Sequence, residues 1–163
     1  MDLPIKAAIL ICSDRSFNGE RKDQTGPAIK QFLREHGWAV TKHEVLPDDI
    51  DQIAFWLDEQ SGSGSFDVIV TSGGTGVAPR DITPEATLKV IKKRVPGMEE
   101  AMRARSLEIT PHAMLSRGVV GTVGRTMIIN LPGSVKGAIE NLEIVLPALP
   151  HAVALLRGEH PDP

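Results

Sequence analysis

Tyrosine is absent from this chain, cysteine occurs once, and aromatic residues make up only 4% of its 163 residues. So few aromatic rings argue against a stacking platform for single-stranded nucleic acid. The lone Cys12 cannot close an internal disulfide, and metal sites built from sulfur are excluded. Its place at the end of an apolar run suits a buried, inert thiol. Positive charge is not in excess either, since 18 Lys and Arg stand against 21 Asp and Glu for a net charge of −3. Without a broad basic footprint, no nucleic-acid partner is expected. No apolar run is expected to reach the roughly 20 residues that span a bilayer. The N-terminus, with Asp2 and Pro4 ahead of a short apolar strand, lacks the pattern of a signal peptide. These absences lead to the expectation of a cytoplasmic protein without membrane contact. His36, His43, His112, His151 and His160 show no metal-ligand spacing, and no Ser/His/Asp arrangement stands out.

What remains is the composition of an ordinary folded protein, 41% hydrophobic and 24% charged, at the length of one domain covering residues 1–163. From Ile5 to Cys12 the chain is almost wholly aliphatic, as a strand covered on both faces would be. A helical pattern with Ile29, Phe32 and Leu33 follows and stops at Gly37. Ala39 to Leu46 reads as a second strand, and Ile50, Ile53, Ala54 and Leu57 repeat at helical spacing up to Gln60. Ser61 to Ser65 reads as a connector, and Phe66 to Thr71 as a third strand. Thr83 is expected to cap the next helix with Pro84 at its first position, Lys92, Lys93 and Arg94 in its last turn, and Pro96-Gly97 closing it. Met98 to Leu107 reads as helix. Val119 to Val123 and Thr126 to Leu131 read as a hairpin turning at Gly124. Two helices follow, one from Ser134 to Val145 and one after Pro147. Strands alternating with helices predict an α/β fold, a three-layer sandwich with a mainly parallel sheet and one antiparallel strand from the hairpin.

In open α/β sheets ligands bind beyond the carboxyl ends of the strands. The residues there are polar: Ser13, Asp14 and Arg15, then Asp48 and Asp49, then Ser72 to Asp81, then Pro132, Gly133, Ser134 and Lys136. The glycines of Thr71-Ser72-Gly73-Gly74-Thr75-Gly76 let the backbone turn tightly and come close to a ligand. Free N–H groups and the Ser72 and Thr75 hydroxyls can grip anionic oxygens. The loop is neither Gly-x-Gly-x-x-Gly nor a Walker loop, and a plain strand-to-helix turn would use the same glycines. Asp48 and Asp81 could hold a magnesium ion that bridges phosphates. Equally, Asp48 could cap a helix, and Asp81 could pair with Arg80 or cap a turn. Arg80 and Lys136 could neutralise phosphate charge.

The loop, followed by Arg80-Asp81-Ile82-Thr83-Pro84-Glu85-Ala86, resembles the signature of the MogA/MoaB family of molybdenum-cofactor biosynthesis proteins. Ser13-Asp14-Arg15, Leu46-Pro47-Asp48, Leu115-Ser116-Arg117 and Asn130-Leu131-Pro132-Gly133-Ser134 are similar to further landmarks of that family, in family order. The resemblance implies a homotrimer that transfers AMP from ATP to molybdopterin, giving adenylylated molybdopterin and pyrophosphate, with a molybdenum-insertion protein as onward partner. It implies Asp48 and Asp81 as catalytic carboxylates acting through magnesium. It further implies Ser72, Gly73, Gly74, Thr75 and Gly76, with Ser13, Asp14, Arg80 and Ser134, around nucleotide and phosphate, Pro132-Gly133 near the adenine, and Ser116 with Lys136 on the pterin side. The short ending, Leu-Arg-Gly-Glu-His-Pro-Asp-Pro, is similar to a compact branch of the family. The competing reading is accordingly a non-catalytic module that binds molybdopterin or nucleotide as carrier or scaffold.

Overall fold

The computed structural model describes residues 3–162. Strand β1 (Lys6–Cys12) is buried at every position after Lys6. Ala7, Ile9 and Ile11 enter one core, while Ala8, Leu10 and Cys12 enter the other. A strand with both faces covered needs no polar alternation, which is why this segment is aliphatic throughout. Helices α1 (Asp14–Phe17) and α2 (Thr25–Glu35) follow, then β2 (Ala39–Leu46), α3 (Ile50–Gly62) and β3 (Val68–Ser72). The second half contains α4 (Thr83–Leu88), β4 (Lys93–Arg94), α5 (Pro96–Leu107), β5 (Val120–Val123), β6 (Thr126–Leu131), α6 (Val135–Val145) and α7 (Leu149–Leu156).

The six strands form one sheet in the order β2-β1-β3-β6-β5-β4. Pairing is parallel from β2 to β6, and β5 pairs antiparallel with both β6 and β4. One strand therefore runs against the rest, as the hairpin predicts. Residues of α2, α5, α6 and α7 pack on one face of the sheet, and residues of α3 and α4 on the other, giving the three-layer α/β sandwich. The carboxyl ends of β1, β2, β3 and β6 consequently open on one edge.

Several local expectations are corrected. The helix beginning at Thr83 ends at Leu88, and Lys93–Arg94 forms an edge strand instead of its last turn. Gly121 makes room for that strand, because a Cβ there would lie 2.7 Å from the Lys93 carbonyl oxygen. Arg94 is held by the buried Glu99, with Nη2 2.6 Å from Oε1, so its charge serves an ion pair and no helix end. Pro96 opens α5. Thr83 does not cap α4; the N-cap is Ile82, without a side-chain bond, and Thr83 is the first residue inside. Ser61, expected in a connector, lies inside α3, which runs to Gly62, and its hydroxyl donates back to the Leu57 carbonyl at 2.7 Å. Most of the Val119–Leu131 hairpin is buried within the chain, with Val119 at 4% exposure and Ile128 and Ile129 at 0%.

Contrary to the expectation of no long apolar run, the 22-residue helical stretch Val135–Leu156 is long and apolar enough, by length and composition, to cross a bilayer. In this fold its Ala138, Leu142, Val145, Leu149 and Val153 are buried in the core.

Candidate functional site

Two cavities open at the strand-end edge. The first, of about 440 Å³, is polar and is lined by Ser13, Asp14, Asp48, Gly73, Gly74 and Gly133, among others. Asp14 and Asp48 join the loops after β1 and β2 reciprocally. The Asp14 N–H donates to Asp48 Oδ2 at 3.1 Å, and the Asp48 N–H donates to Asp14 Oδ1 at 3.0 Å. Arg80 completes the knot, with Nε 2.5 Å and Nη2 3.0 Å from the Asp14 carboxylate and Nη2 3.2 Å from the Asp48 carbonyl oxygen. The Arg80 hydrogen bond holds the Asp14 carboxyl below its ordinary range, and the same contact raises the Arg80 guanidinium. Arg80 is thereby spent on a carboxylate within the protein.

Asp49, not Asp48, caps α3, accepting from the Gln52 N–H at 2.9 Å. Asp48 is free of that duty, and its Oδ1 is buried without a hydrogen-bond partner. Burial pushes the Asp48 carboxyl above its ordinary range, and the negative charges of Asp14 and Asp81 push it further. An anionic oxygen left unpaired in this way is costly unless something else compensates it. Two more buried groups belong to this region, the Thr83 hydroxyl and Cys12, whose thiol is pushed up to about 12 by burial, against a smaller lowering contact from Thr83, and is inert.

The glycine loop threads between these groups. Gly74 adopts φ +67°, and a Cβ there would run into the Thr83 hydroxyl and lie 3.1 Å from Asp48 Oδ1. Glycine at this position is required by protein packing as much as by any ligand. Ser72 donates from its hydroxyl to the Pro132 carbonyl at 2.7 Å, and Thr25 donates likewise to the Gly133 carbonyl at 3.0 Å. The loops after β3 and β6 are thus sewn into one wall.

The second cavity, about 280 Å³ and mainly apolar, lies beside the first, and Ser134 borders both. Thr75, Gly76, Ser116 and Pro132 form its near side, with Met102 and Ala113 among the residues opposite. Ser134 caps α6 by accepting from the Gly137 N–H at 3.0 Å. Asp81 borders neither cavity; its Oδ2 accepts from the Ala78 N–H at 2.9 Å, which is the turn-capping role. Lys136 also borders neither cavity, is 77% exposed, and lies 3.7 Å from Glu140.

Three structurally important residues carry no assigned role in the sequence reading. Arg117 donates to the Gly76 carbonyl and the Asp81 carbonyl, both at 2.7 Å, and pairs with Glu85 at 2.5 Å, so one guanidinium staples the loop between the cavities. Asn130 donates to the hydroxyls of Thr71 at 2.9 Å and Thr87 at 3.0 Å while accepting from the Val119 N–H at 3.1 Å. An amide within the apolar run of β6 is the signal that could have found it. Glu99, at 2% exposure, accepts from Arg94 and from the Val120 N–H at 3.1 Å. Among the described residues no group of three or more His, Cys, Asp or Glu is placed to hold a metal ion. A magnesium ion supplied with phosphate oxygens and waters needs fewer protein ligands, and the unpaired Asp48 Oδ1 suits such a hard cation.

Residues 8–151 match the family model described as a probable molybdopterin binding domain. Over 158 residues the chain is 42% identical to the molybdopterin adenylyltransferase of Helicobacter pylori strain J99, covering 96% of this chain and 90% of that protein. It is 43% identical to gephyrin of Dictyostelium discoideum over 161 residues, 93% of this chain but only 22% of that longer protein. Among solved structures, the molybdopterin biosynthesis enzyme MoaB from Thermus thermophilus superposes with a TM-score of 0.89 at 48% identity, covering 95% of this chain and 98% of that one.

Proposed function

The chain belongs to the molybdopterin-binding family whose model spans residues 8–151, and on that premise we propose that it transfers an adenylyl group from ATP to molybdopterin, releasing pyrophosphate. The protein is one of molybdenum-cofactor biosynthesis. The observation that carries the finer reading is the buried, unpartnered Asp48 Oδ1 at a polar cavity that shares a wall with an apolar one. One compartment suits phosphates and the other suits a pterin ring.

The terminal phosphate of molybdopterin is a monoester with a second pKa near 6, so it is a charged nucleophile at neutral pH and requires no general base. Its oxygen attacks the α-phosphorus of ATP, and the bond from that phosphorus to the pyrophosphate oxygen breaks as the new phosphorus–oxygen bond forms. The protein's task is alignment and charge compensation. The wall from Pro132 to Ser134 sets the two cavities side by side, and the tethers from Ser72 and Thr25 fix its backbone. Asp48, with the charge of Asp81 nearby, would hold magnesium. When bound, that ion would offset the negative charge gathered on the phosphates.

The homotrimer is part of the same proposal. Val77, Met114 and Leu115 are 64%, 69% and 50% exposed and are apolar surface that subunit contacts would cover. Light scattering at micromolar concentration should give about three times the mass of one chain. The reaction itself is tested by incubating the protein with molybdopterin, ATP and magnesium while following pyrophosphate and the adenylylated product. Product is expected. Tight retention of the pterin without product would favour the carrier or scaffold instead.

A further inference from the structure

The two cations singled out for phosphate, Arg80 and Lys136, are committed elsewhere, one to Asp14 and the other to a helix surface beside Glu140. Three others border the polar cavity: Arg15, Arg21 and Lys22. None of them makes an ion pair or a side-chain hydrogen bond among the described residues, although the carboxylates of Asp14 and Asp23 line the same cavity. Those carboxylates are already engaged. Asp14 is held by Arg80, while Asp23 accepts from the N–H groups of Thr25 and Gly26 at 3.0 Å each and lies 2.9 Å from His43 Nε2. The first amides of α2 are occupied by Asp23 in the same way, so that helix end is not the anion site.

The backbone brings the cations together. The Arg15 carbonyl accepts from the Glu20 N–H at 2.9 Å and from the Arg21 N–H at 3.2 Å, folding the segment after α1 back on itself. Arg15 and Arg21 thereby sit on one rim, with Lys22 next in the chain. Asp48, whose Oδ1 is the group suited to a divalent cation, lines the same cavity. Three unpaired positive charges and one unpaired carboxylate oxygen in the lining of one cavity are complementary to a metal-bound polyphosphate, the cations to its phosphate oxygens and the carboxylate to its metal.

We propose that Arg15, Arg21 and Lys22 form the subsite for the pyrophosphoryl end of a nucleoside triphosphate, holding the β- and γ-phosphates and then the departing pyrophosphate. This inference rests on the adenylyl-transfer reading and adds to it the residues that make a triphosphate preferable to a monophosphate. The side chains are exposed, so their removal leaves the fold intact.

The test is calorimetric binding of inorganic pyrophosphate and of AMP, each with magnesium, to the full chain and to an Arg21→Ala/Lys22→Ala double variant. Arg125→Ala, which removes one positive charge away from the cavity, serves as the control, since Arg125 lies in the β5–β6 turn at the opposite edge of the sheet. Losing charge-assisted contacts should weaken pyrophosphate by about tenfold or more in the double variant. AMP affinity should stay within about twofold, on the same scale, and Arg125→Ala should change neither. Failure of the unaltered protein to bind pyrophosphate, unchanged affinity in the double variant, or an equal loss in Arg125→Ala would each overturn the subsite. Adenylylated product formed by a protein whose double variant binds pyrophosphate normally would leave the reaction standing and remove the subsite. Pyrophosphate bound through the rim without any product would do the reverse.

Discussion

The two cavities at the strand-end edge are neighbours built on different principles. The polar one is made from loops that leave β1, β2, β3 and β6; its carboxylates Asp14 and Asp23 are engaged within the protein, while Asp48 Oδ1 and the Arg15, Arg21 and Lys22 rim are uncommitted. The apolar one takes loop residues such as Thr75 and Pro132 on its near side and is closed by helical ones, with Met102 of α5 and Ala113 of the short 3-10 turn Pro111–Leu115 among its walls. Chemistry is concentrated where backbone and charge are pinned, and shape recognition where side chains pack. The comparison teaches that the residues between the cavities matter more than their own chemistry suggests, because in the proposed reaction they would set the distance between the two substrates.

The largest effect should come from Gly74, on the polar side. Valine there would place a branched side chain at φ +67° and against the Thr83 hydroxyl. The strain and the overpacking together should cost about 2–6 kcal/mol, read by urea denaturation. A variant as stable as the parent would mean that the loop can move aside, and that the polar cavity is less rigid than described.

Asn130 comes next, since it ties β3, α4 and the segment before β5 together. Alanine should cost about 2–3 kcal/mol because the buried Val119 N–H loses its acceptor. Both cavities border its loops, so pterin and pyrophosphate binding should fall together. A loss confined to one would show that the cavities are mechanically independent.

Arg117→Lys sharpens the contrast from the other direction. A lysine retains the charge but cannot bond the Gly76 carbonyl, the Asp81 carbonyl and Glu85 at once. Pterin affinity should drop by about tenfold, corresponding to one lost charge-assisted bond, while pyrophosphate affinity holds. Titrating both ligands against the same preparation separates these outcomes.

The smallest effect is electrostatic. Arg80 holds the Asp14 carboxyl below its ordinary range, so the ionised form is favoured by folding. The stability this contributes is present above the unfolded carboxyl's pKa of about 3.9 and is lost as pH falls through the lower folded value. Asp14→Asn should flatten the acid limb of the stability profile slightly while leaving neutral stability little changed, since the pair is exposed.

The strand-end loops were legible in the sequence because periodicity places β1, β2, β3 and the hairpin, and the parallel-sheet rule then gathers Ser13, Asp14, Asp48, the glycine loop and Gly133 on one edge. The edge strand Lys93–Arg94 was not, because two residues carry no period and their cations suit a helix end equally well. The apolar cavity was invisible for a related reason: Met98 to Leu107 and Ser134 to Val145 read as plain helices, no element was expected over Pro111–Leu115, and only tertiary packing leaves a hollow between these segments. Commitments were equally hidden. Nothing in the order of residues says that Arg80 is claimed by Asp14, or that Asp49 takes the capping position and frees Asp48.

Asp48→Asn is therefore the most direct test of the central claim, that the unpaired carboxylate acts on the chemical step. Burial raises the Asp48 carboxyl, so its ionised form is a burden on folding that grows as pH rises through the folded pKa. Asparagine keeps an oxygen to accept from the Asp14 N–H and removes that burden. The variant should melt at the same temperature as the parent or above it, and should bind molybdopterin with affinity unchanged within about twofold. Its rate of adenylylated product formation at saturating magnesium and ATP should fall by about a hundredfold or more. Turnover at the parental rate, or a loss of pterin affinity as large as the loss of rate, would contradict the account.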